Sequence, residues 1–282
     1  MSPLRLPSSP PSPDPPTWVL LRGLTRDRRH WGDFPLQLRE ALAATAHGPA
    51  GVAQVMAQRM AQVVAPDLAG NGARWQEPSP ATVPGMVDDL RAVLRGLNLS
   101  PPYRVLAMSL GAMVAIEWAR LHPGELAGAV LLNTSVRPLS PLHHRLQPRA
   151  WPTLIGGLCR PGDALGLQQR VLALTSRHWQ ADDEAGAALL AQWVAWQRAC
   201  PVQPANALRQ LLAAARYRAP LAPPPVPMRL LNGAGDRLVH PACSQALAQA
   251  WGLRLHQHPS AGHDLPLDAP DWVVGQALAS MR

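Results

Sequence analysis

The chain has 282 residues, of which 47 % are hydrophobic, and this suits one sizeable core domain that carries an insertion. The formal net charge is +8, but the basic residues are all arginine and are scattered along the chain, so we expect no nucleic-acid partner. Lysine is absent, which excludes a P-loop, a Schiff-base enzyme and a Ser-Lys dyad, because each needs an amine.

Several further classes are excluded by what the sequence lacks. No run of apolar residues is long enough to span a bilayer, and no basic segment leads into an apolar run near the N-terminus, so we expect a cytoplasmic protein without a membrane span. The three cysteines are far apart and form no Cys-x-x-Cys pair. This arrangement argues against a disulfide framework and a zinc site. We also expect no other metal site and no cofactor.

The predicted elements begin after an N-terminal tail. Residues 1–16 are mostly Pro, Ser and polar side chains, which predicts a disordered tail. Apolar runs predict strands at 18–22, 62–66, 103–107 and 129–132, with helices at 86–97 and 110–121 between them. This alternation predicts a parallel sheet with helices on both faces, and a site at the carboxyl ends of its strands.

The pattern changes between the predicted strand at 129–132 and residue 227. Strand-like runs are missing there, and apolar residues recur at helical spacing, as in Leu189, Trp193 and Trp196. We predict an all-helical insertion at 136–226. We interpret its apolar side chains as packing residues in preference to a pocket lining. The core then comprises 17–135 and 227–282, resuming with a strand at 228–231, a helix at 241–251, a strand at 253–256 and a final helix at 271–281.

The segment around Ser109 is the most informative part of the chain. An apolar strand passes through Ser109 directly into an amphipathic helix, and a turn this sharp needs small residues two before and two after the serine. Ala107 and Gly111 meet this need. The helix beginning at Leu110 would point free backbone N–H groups at a developing oxyanion. The alternative is an ordinary connection between a strand and a helix.

This segment resembles the nucleophile elbow Gly-x-Ser-x-Gly of the α/β-hydrolase superfamily, with Ala107 in the first glycine position. Arg22-Gly23-Leu24 looks like the family's His-Gly loop after the first central strand, with Arg22 replacing the histidine and Trp31 eight residues beyond the glycine. The run from Asp67 to Gly72 looks like its structural Asp-x-x-Gly-x-Gly loop. The resemblance implies the mainly parallel sheet of that fold with an all-helical cap.

The resemblance also implies the remaining site residues, in the family order Ser, Asp, His. Asp236 follows a predicted strand end, and His263 lies in a Gly-His loop after the last predicted strand. Ser109 would be the nucleophile, His263 the base and Asp236 the acid that orients it. The backbone N–H groups of Leu24 and Leu110 would form the oxyanion hole.

The function we expect from these residues is hydrolysis of carboxylic esters of small or medium acyl substrates through an acyl-enzyme. Trp31 and Met108 are expected in the substrate pocket, which the insertion would cover.

Two alternatives remain open at this point. The same residues could serve a thioesterase, an esterase of methyl esters linked to a carrier protein, or a hydrolase of C–C bonds. Arg137, Arg145 and Arg149 could then dock an acidic acyl carrier protein, although a solvated basic face explains them equally. In the second alternative, the fold is an inactive ligand sensor.

Overall fold

A parallel β-sheet runs through the middle of the molecule in the computed structural model, which describes residues 16–45, 62–159 and 162–281. Its strands follow the order β2-β1-β3-β4-β5-β6. They are β1 (Thr17–Leu21), β2 (Val63–Val64), β3 (Tyr103–Met108), β4 (Leu126–Leu132), β5 (Met228–Gly233) and β6 (Leu255–His258). The predicted N-terminal tail lies outside the described residues except for Pro16.

Eleven α-helices accompany these strands within the described ranges. In chain order they are α1 (Phe34–Thr45), α2 (Val83–Gly96), α3 (Leu110–Leu121), α4 (Leu142–Arg145), α5 (Trp151–Cys159), α6 (Ala164–Thr175), α7 (Glu184–Ala199), α8 (Pro204–Arg216), α9 (Ala242–Trp251), α10 (Leu265–Asp268) and α11 (Pro270–Ala279). Short 3₁₀ helices are found at Arg28–Trp31, Gly72–Arg74, Pro123–Glu125 and Pro148–Ala150.

Each face of the sheet is covered by its own hydrophobic cluster. Successive strand residues point to opposite faces, so Val19 and Leu21 of β1 pack with α2, α3 and α9, whereas Trp18 and Leu20 pack with α1 and α11. Strands buried on both faces need nearly continuous apolar sequence, which is why they were recognisable from the sequence. The α/β class with a mainly parallel sheet is confirmed.

Helices α4 to α8 lie between β4 and β5 in the chain, within the range predicted for the insertion. They carry a small hydrophobic cluster of their own, formed by Leu172, Leu190 and Trp193. An isolated β-bridge pairs Arg137 with Arg218, near the two ends of that range. The segment therefore leaves the sheet after β4 and returns beside its own start.

The bounds of all six predicted strands differ from the structure: β1, β3, β4 and β5 differ by one to three residues at an end, and β6 and β2 differ for local reasons. The strand expected at 253–256 is β6, which begins two residues later because Gly252 adopts a left-handed conformation (φ 63°) and Leu253 N–H still bonds to Ala248 O at the end of α9. The strand expected at 62–66 shrinks to β2, since it lies at the sheet edge and pairs only with β1. Pro66 could not extend it as a donor.

Candidate active site

Ser109 lies at the tip of β3 in a strained backbone conformation. Its φ of 56° and ψ of −115° fall where residues other than glycine rarely occur, at a cost of about 1–3 kcal/mol. Two contacts hold this conformation: Ser109 N–H donates to Leu132 O (2.9 Å), and the Thr134 hydroxyl donates to Ser109 O (3.2 Å). Ser109 is partly exposed between the buried residues Met108 and Leu110. The turn thus presents its hydroxyl group to the space above the sheet.

Small residues beside the turn let it approach β1 closely. A Cβ atom on Gly111 would lie 2.6 Å from the carbonyl oxygens of both Leu21 and Arg22, so a side chain there would force the backbone apart. Ala107 is fully buried and stands opposite Leu21 in the β1–β3 register. The alanine in the first glycine position of the elbow is therefore accommodated within the sheet.

The loop after β1 lies directly against the serine. A Cβ atom on Gly23 would be 3.1 Å from Ser109 Cβ, which leaves little room between the two backbones. The next residue, Leu24, lines the same cavity as Ser109 and Leu110. Leu110 begins α3, so its N–H group has no acceptor within the helix and lies at the positive end of the helix dipole.

His263 and Asp236 form a buried hydrogen-bonded pair. His263 Nδ1 lies 2.7 Å from Asp236 Oδ2, and the two residues are 2 % and 6 % exposed. Asp236 Oδ1 accepts hydrogen bonds from the backbone N–H groups of Leu238 (2.8 Å) and Val239 (2.9 Å). The carboxylate is held on both oxygens, and its bond to Nδ1 places the ring proton there. Nε2 of a neutral imidazole is then an acceptor.

Asn133, which the sequence analysis did not identify, fixes the loop that carries the histidine. Its side-chain amide donates to Gly262 O (3.0 Å) and His263 O (2.7 Å), and its carbonyl oxygen accepts from Gly233 N–H (2.9 Å). Asn133 directly follows the buried strand β4. A polar residue at the carboxyl end of a buried strand was the signal available in the sequence.

Arg22 occupies the position where the resembling family has histidine, and it forms a buried ion pair with Asp264. Its Nη1 and Nη2 atoms donate to Oδ1 (3.1 Å) and Oδ2 (2.6 Å), and both side chains are almost fully buried. Burial alone would raise the pKa of Asp264, but the charge and hydrogen bonds of Arg22 outweigh it and hold that pKa below its usual range. The pair ties the loop after β1 to the loop of His263.

A cavity of about 160 Å³ opens in front of Ser109 and His263. Met108, Leu24 and Leu110 contribute to its wall on the core side. The helical segment between β4 and β5 contributes apolar side chains on the other side, among them Leu154, Val171 and Leu211. A cavity of this size holds a group about as large as benzene.

The pocket assignment of Trp31 is corrected by the structure. Trp31 is 3 % exposed and stacks on Phe34, with ring centroids 5.5 Å apart. Both residues belong to the hydrophobic cluster on the face of the sheet that α1 and α11 cover. The side chain packs in the core instead of lining the cavity at Ser109. An aromatic residue shortly after a glycine loop suits a pocket wall and a core equally well, so the sequence did not distinguish them.

Only two of the three arginines considered for carrier-protein docking lie on the surface. Arg137 and Arg149 are exposed, but Arg145 is buried at 8 % exposure. Its guanidinium donates to the carbonyl oxygens of Ala214 (2.6 Å) and Ala215 (3.2 Å) near the end of α8. Arg145 therefore stabilises a helix C-terminus and is not available to a docking partner.

Within residues 16–45, 62–159 and 162–281, no group of three or more His, Cys, Asp or Glu side chains could hold a metal ion. In the same part of the chain, no helix combines the length and the apolar character needed to cross a bilayer.

Comparison with known proteins places this arrangement among related folds. Residues 6–276 match the model of the alpha/beta hydrolase family. The enol-lactonase of Burkholderia xenovorans LB400 is 18 % identical, with a TM-score of 0.69 over 96 % of this chain and 93 % of that one. A thermophilic esterase of Thermogutta terrifontis is 22 % identical, with a TM-score of 0.62 over 94 % and 88 %. No curated protein matches the sequence.

A third solved structure extends the fold comparison. An esterase of Rhodococcus sp. ECU1013 is 18 % identical, with a TM-score of 0.68 over 94 % of this chain and 90 % of that one. At such low identities, the similarity establishes the shared fold and leaves the substrates of this chain to its own residues.

Proposed function

We propose that this chain, which belongs to the alpha/beta hydrolase family, is a serine hydrolase. Its substrates would be carboxylic esters with small or medium acyl groups. Ser109 is the nucleophile, His263 the general base and acid, and Asp236 the group that orients the imidazole. The backbone N–H groups of Leu24 and Leu110 stabilise the oxyanion.

The observation that carries this proposal is the hydrogen bond of 2.7 Å between His263 Nδ1 and Asp236 Oδ2, in a histidine that lines the same cavity as Ser109. A serine hydroxyl is a weak nucleophile until a base removes its proton. The bond to Asp236 keeps the proton on Nδ1, so Nε2 is free to accept one. The strained backbone of Ser109 supports the same conclusion, because such conformations cluster at active sites.

These roles imply a reaction in two steps, acylation of Ser109 and hydrolysis of the acyl-enzyme. Ser109 Oγ attacks the ester carbonyl while His263 Nε2 takes its proton, and the oxyanion forms against the two N–H groups. Collapse breaks the bond to the alcohol, which leaves with the proton from Nε2. Water then attacks the acyl-enzyme with His263 again as base, releasing the acid and restoring Ser109.

The size of the cavity supports short acyl groups. About 160 Å³ beside Ser109 admits a group of benzene's size. A neighbouring cavity of about 290 Å³ shares Leu154, Val171 and Leu211 with it, so longer groups can extend into that space.

Hydrolysis of a series of para-nitrophenyl esters, from acetate to decanoate, tests the proposal. We expect the highest kcat/KM for short to medium chains, and Ser109→Ala should lower kcat by about 10⁴ to 10⁶-fold. Ser135→Ala is the matched control, because Ser135 also lines the cavity. Retained activity in Ser109→Ala, or its loss in Ser135→Ala alone, would refute the assignment of the nucleophile. Adding a thioester and a C–C substrate to the panel tests the bond cleaved.

A further inference from the structure

Four arginines lie between residues 22 and 29, and three of them are accounted for. Arg22 pairs with Asp264 at 2.6 Å, Arg29 pairs with Asp27 at 2.8 Å, and Arg28 is exposed to solvent. Arg26 differs from Arg22 and Arg29 because no carboxylate of the described residues lies within ion-pair distance of it, and from Arg28 because its guanidinium is buried. This loop therefore carries one positive charge inside the molecule that no acidic side chain of the described ranges pairs with.

The hydrogen-bond partners of Arg26 are neutral. Its Nη1 donates to Gln168 Oε1 (2.8 Å) and to His30 Nε2 (2.8 Å). A guanidinium only donates, so His30 Nε2 accepts and the imidazole is uncharged. Burial, followed by the charge of Arg26, lowers the pKa of His30 to about 4, in agreement with this neutral form. Neither partner compensates the charge of Arg26.

The second terminal nitrogen of Arg26, Nη2, has no hydrogen-bond partner among the described residues and almost no solvent-accessible surface. Leaving a charged donor buried without an acceptor costs free energy, more than for a neutral group. Burial, and then the nearby charge of Arg22, lower the pKa of Arg26 to about 10, so the guanidinium is still protonated at neutral pH.

The guanidinium is also held in a fixed orientation. Its Cζ atom lies 4.2 Å from the centre of the Trp193 ring, and Trp193 is 2 % exposed in α7. Stacking occupies the face of the guanidinium and leaves the N–H groups at its edge. A donor that is orientated before binding loses little entropy when a ligand arrives.

Arg26 lines both internal cavities next to the proposed nucleophile. It belongs to the wall of the cavity that contains Ser109 and His263, and to the wall of the neighbouring one. The remaining walls of both are largely apolar, with side chains such as Leu154, Leu167 and Leu211. A cation in apolar surroundings attracts an anion much more strongly than a cation in water does.

We propose that Arg26 binds a carboxylate of the substrate, so that the enzyme acts on esters that carry a free acid group elsewhere in the molecule. The inference rests on the proposed serine hydrolase and names its substrate class. A carboxylate matches the single unbalanced charge, whereas a phosphate monoester carries about −1.5 to −2 at neutral pH. The Arg26 guanidinium, as part of the wall of both cavities, supplies the charge-assisted hydrogen bond.

The experiment compares matched esters that differ only in the free acid. Mono-para-nitrophenyl glutarate carries the acid on the acyl side, and para-nitrophenyl methyl glutarate is its neutral counterpart. para-Carboxyphenyl butyrate carries the acid on the alcohol side, and its methyl ester, para-(methoxycarbonyl)phenyl butyrate, is the neutral counterpart. Both pairs are measured with the wild type, Arg26→Gln and Arg28→Gln. Arg28→Gln is the matched control, because it removes an exposed charge from the same loop.

We expect the wild type to prefer one acid ester over its neutral counterpart by roughly 10 to 100-fold in kcat/KM. Arg26→Gln should abolish this preference while it changes the neutral ester only a few-fold, and Arg28→Gln should retain it. Equal rates on acid and neutral esters in the wild type, or an equal loss on both in Arg26→Gln, would overturn the proposal. Should Arg26→Gln fail to fold, Arg26→Lys keeps the charge but not the stacked fork, and it should lower the preference.

A binding measurement separates this inference from the proposed function. Glutarate should raise the Tm of the wild type and of Ser109→Ala, but not that of Arg26→Gln. If the wild type hydrolyses no ester yet shows this Arg26-dependent shift, the proposed function fails and the anion site stands. The absence of any shift by glutarate overturns the anion site, whether or not esters are hydrolysed.

Discussion

Arg22 and Asp264 form a bidentate buried ion pair across 242 residues of sequence, with nitrogen–oxygen distances of 3.1 and 2.6 Å. One partner precedes Gly23 in the loop that lies against Ser109, and the other follows His263. The pair therefore holds two loops of the proposed active site at a fixed separation, and Arg22 stands in the position where the related family has a histidine.

Breaking this pair from one side should be more harmful than removing it entirely. Arg22→Met or Asp264→Leu leaves a buried charged partner behind, and each should lower the free energy of unfolding by about 3–5 kcal/mol. The double variant Arg22→Met/Asp264→Leu should lose less than the sum of the two. Urea unfolding of the four proteins measures the coupling. The contact of Arg22 with Trp31 is lost in both arms that lack arginine, so it cancels. Strict additivity would contradict the role of the pair.

Gly111 and Gly275 provide a matched pair of alanine substitutions. A Cβ atom on Gly111 would lie 2.6 Å from two backbone oxygens, whereas a Cβ atom on Gly275 in α11 would have no atom of the described residues within 4 Å. Gly111→Ala should cost about 1–3 kcal/mol of stability and lower kcat/KM, because the elbow must shift. Gly275→Ala should gain about 0.5–1 kcal/mol, since alanine favours the helix. Equal effects of the two changes on stability would refute the close approach at Gly111.

His30 predicts a pH dependence of stability. Its pKa is about 4 in the folded protein, whereas an unfolded histidine titrates near 6.5. Between these values the unfolded state binds more protons, so stability is lost as the pH falls from about 6.5 toward 4. At pH 5 the loss from this group is about 2 kcal/mol relative to neutral pH.

The comparison with His30→Gln isolates this contribution, because glutamine can still accept a hydrogen bond from Arg26 but does not titrate. The unfolding free energy of the variant should fall less between pH 7.5 and pH 5 than that of the wild type. Parallel pH profiles for the two proteins would show that His30 is not responsible.

Asp236→Asn should damage catalysis while it leaves the fold intact. An asparagine oxygen can still accept from the N–H groups of Leu238 and Val239, but its amide would donate to His263 Nδ1. The ring proton then moves to Nε2, which can no longer accept the proton of Ser109. We expect kcat to fall by roughly 10³ to 10⁴-fold with little change in KM. Asp182→Asn, at an exposed position, is the control, and a fall below tenfold would contradict the role of Asp236.

Much of the fold could be predicted from local sequence patterns. Buried strands produced continuous apolar runs, and the small residues Ala107 and Gly111 marked the turn around Ser109. The start of β6 was misplaced because the conformation of Gly252 is a local choice that apolar pattern does not report. The bounds of β2 depended on its place at the sheet edge, which is a property of the whole sheet.

The partners of the charged side chains could not be predicted from local sequence patterns. Nothing in the neighbourhood of Arg22 indicates Asp264, because their contact arises only when two distant loops meet at the carboxyl edge of the sheet. The unpaired state of Arg26 was equally hidden, since it depends on which carboxylates the other arginines bind. Burial of Arg145 likewise followed from the position of the end of α8.

The role of Ser109 as nucleophile is tested most directly by the site of covalent labelling with a fluorophosphonate, which reacts quickly only with an activated serine. Trypsin cleaves after Arg104 and Arg120, and the peptide between them contains Ser109 as its single hydroxyl-bearing residue. We expect the label on this peptide, with labelling at least about 100-fold slower in His263→Ala. An unlabelled Ser109 peptide in the folded wild-type protein, or a label carried by Ser135 instead, would contradict this role of Ser109.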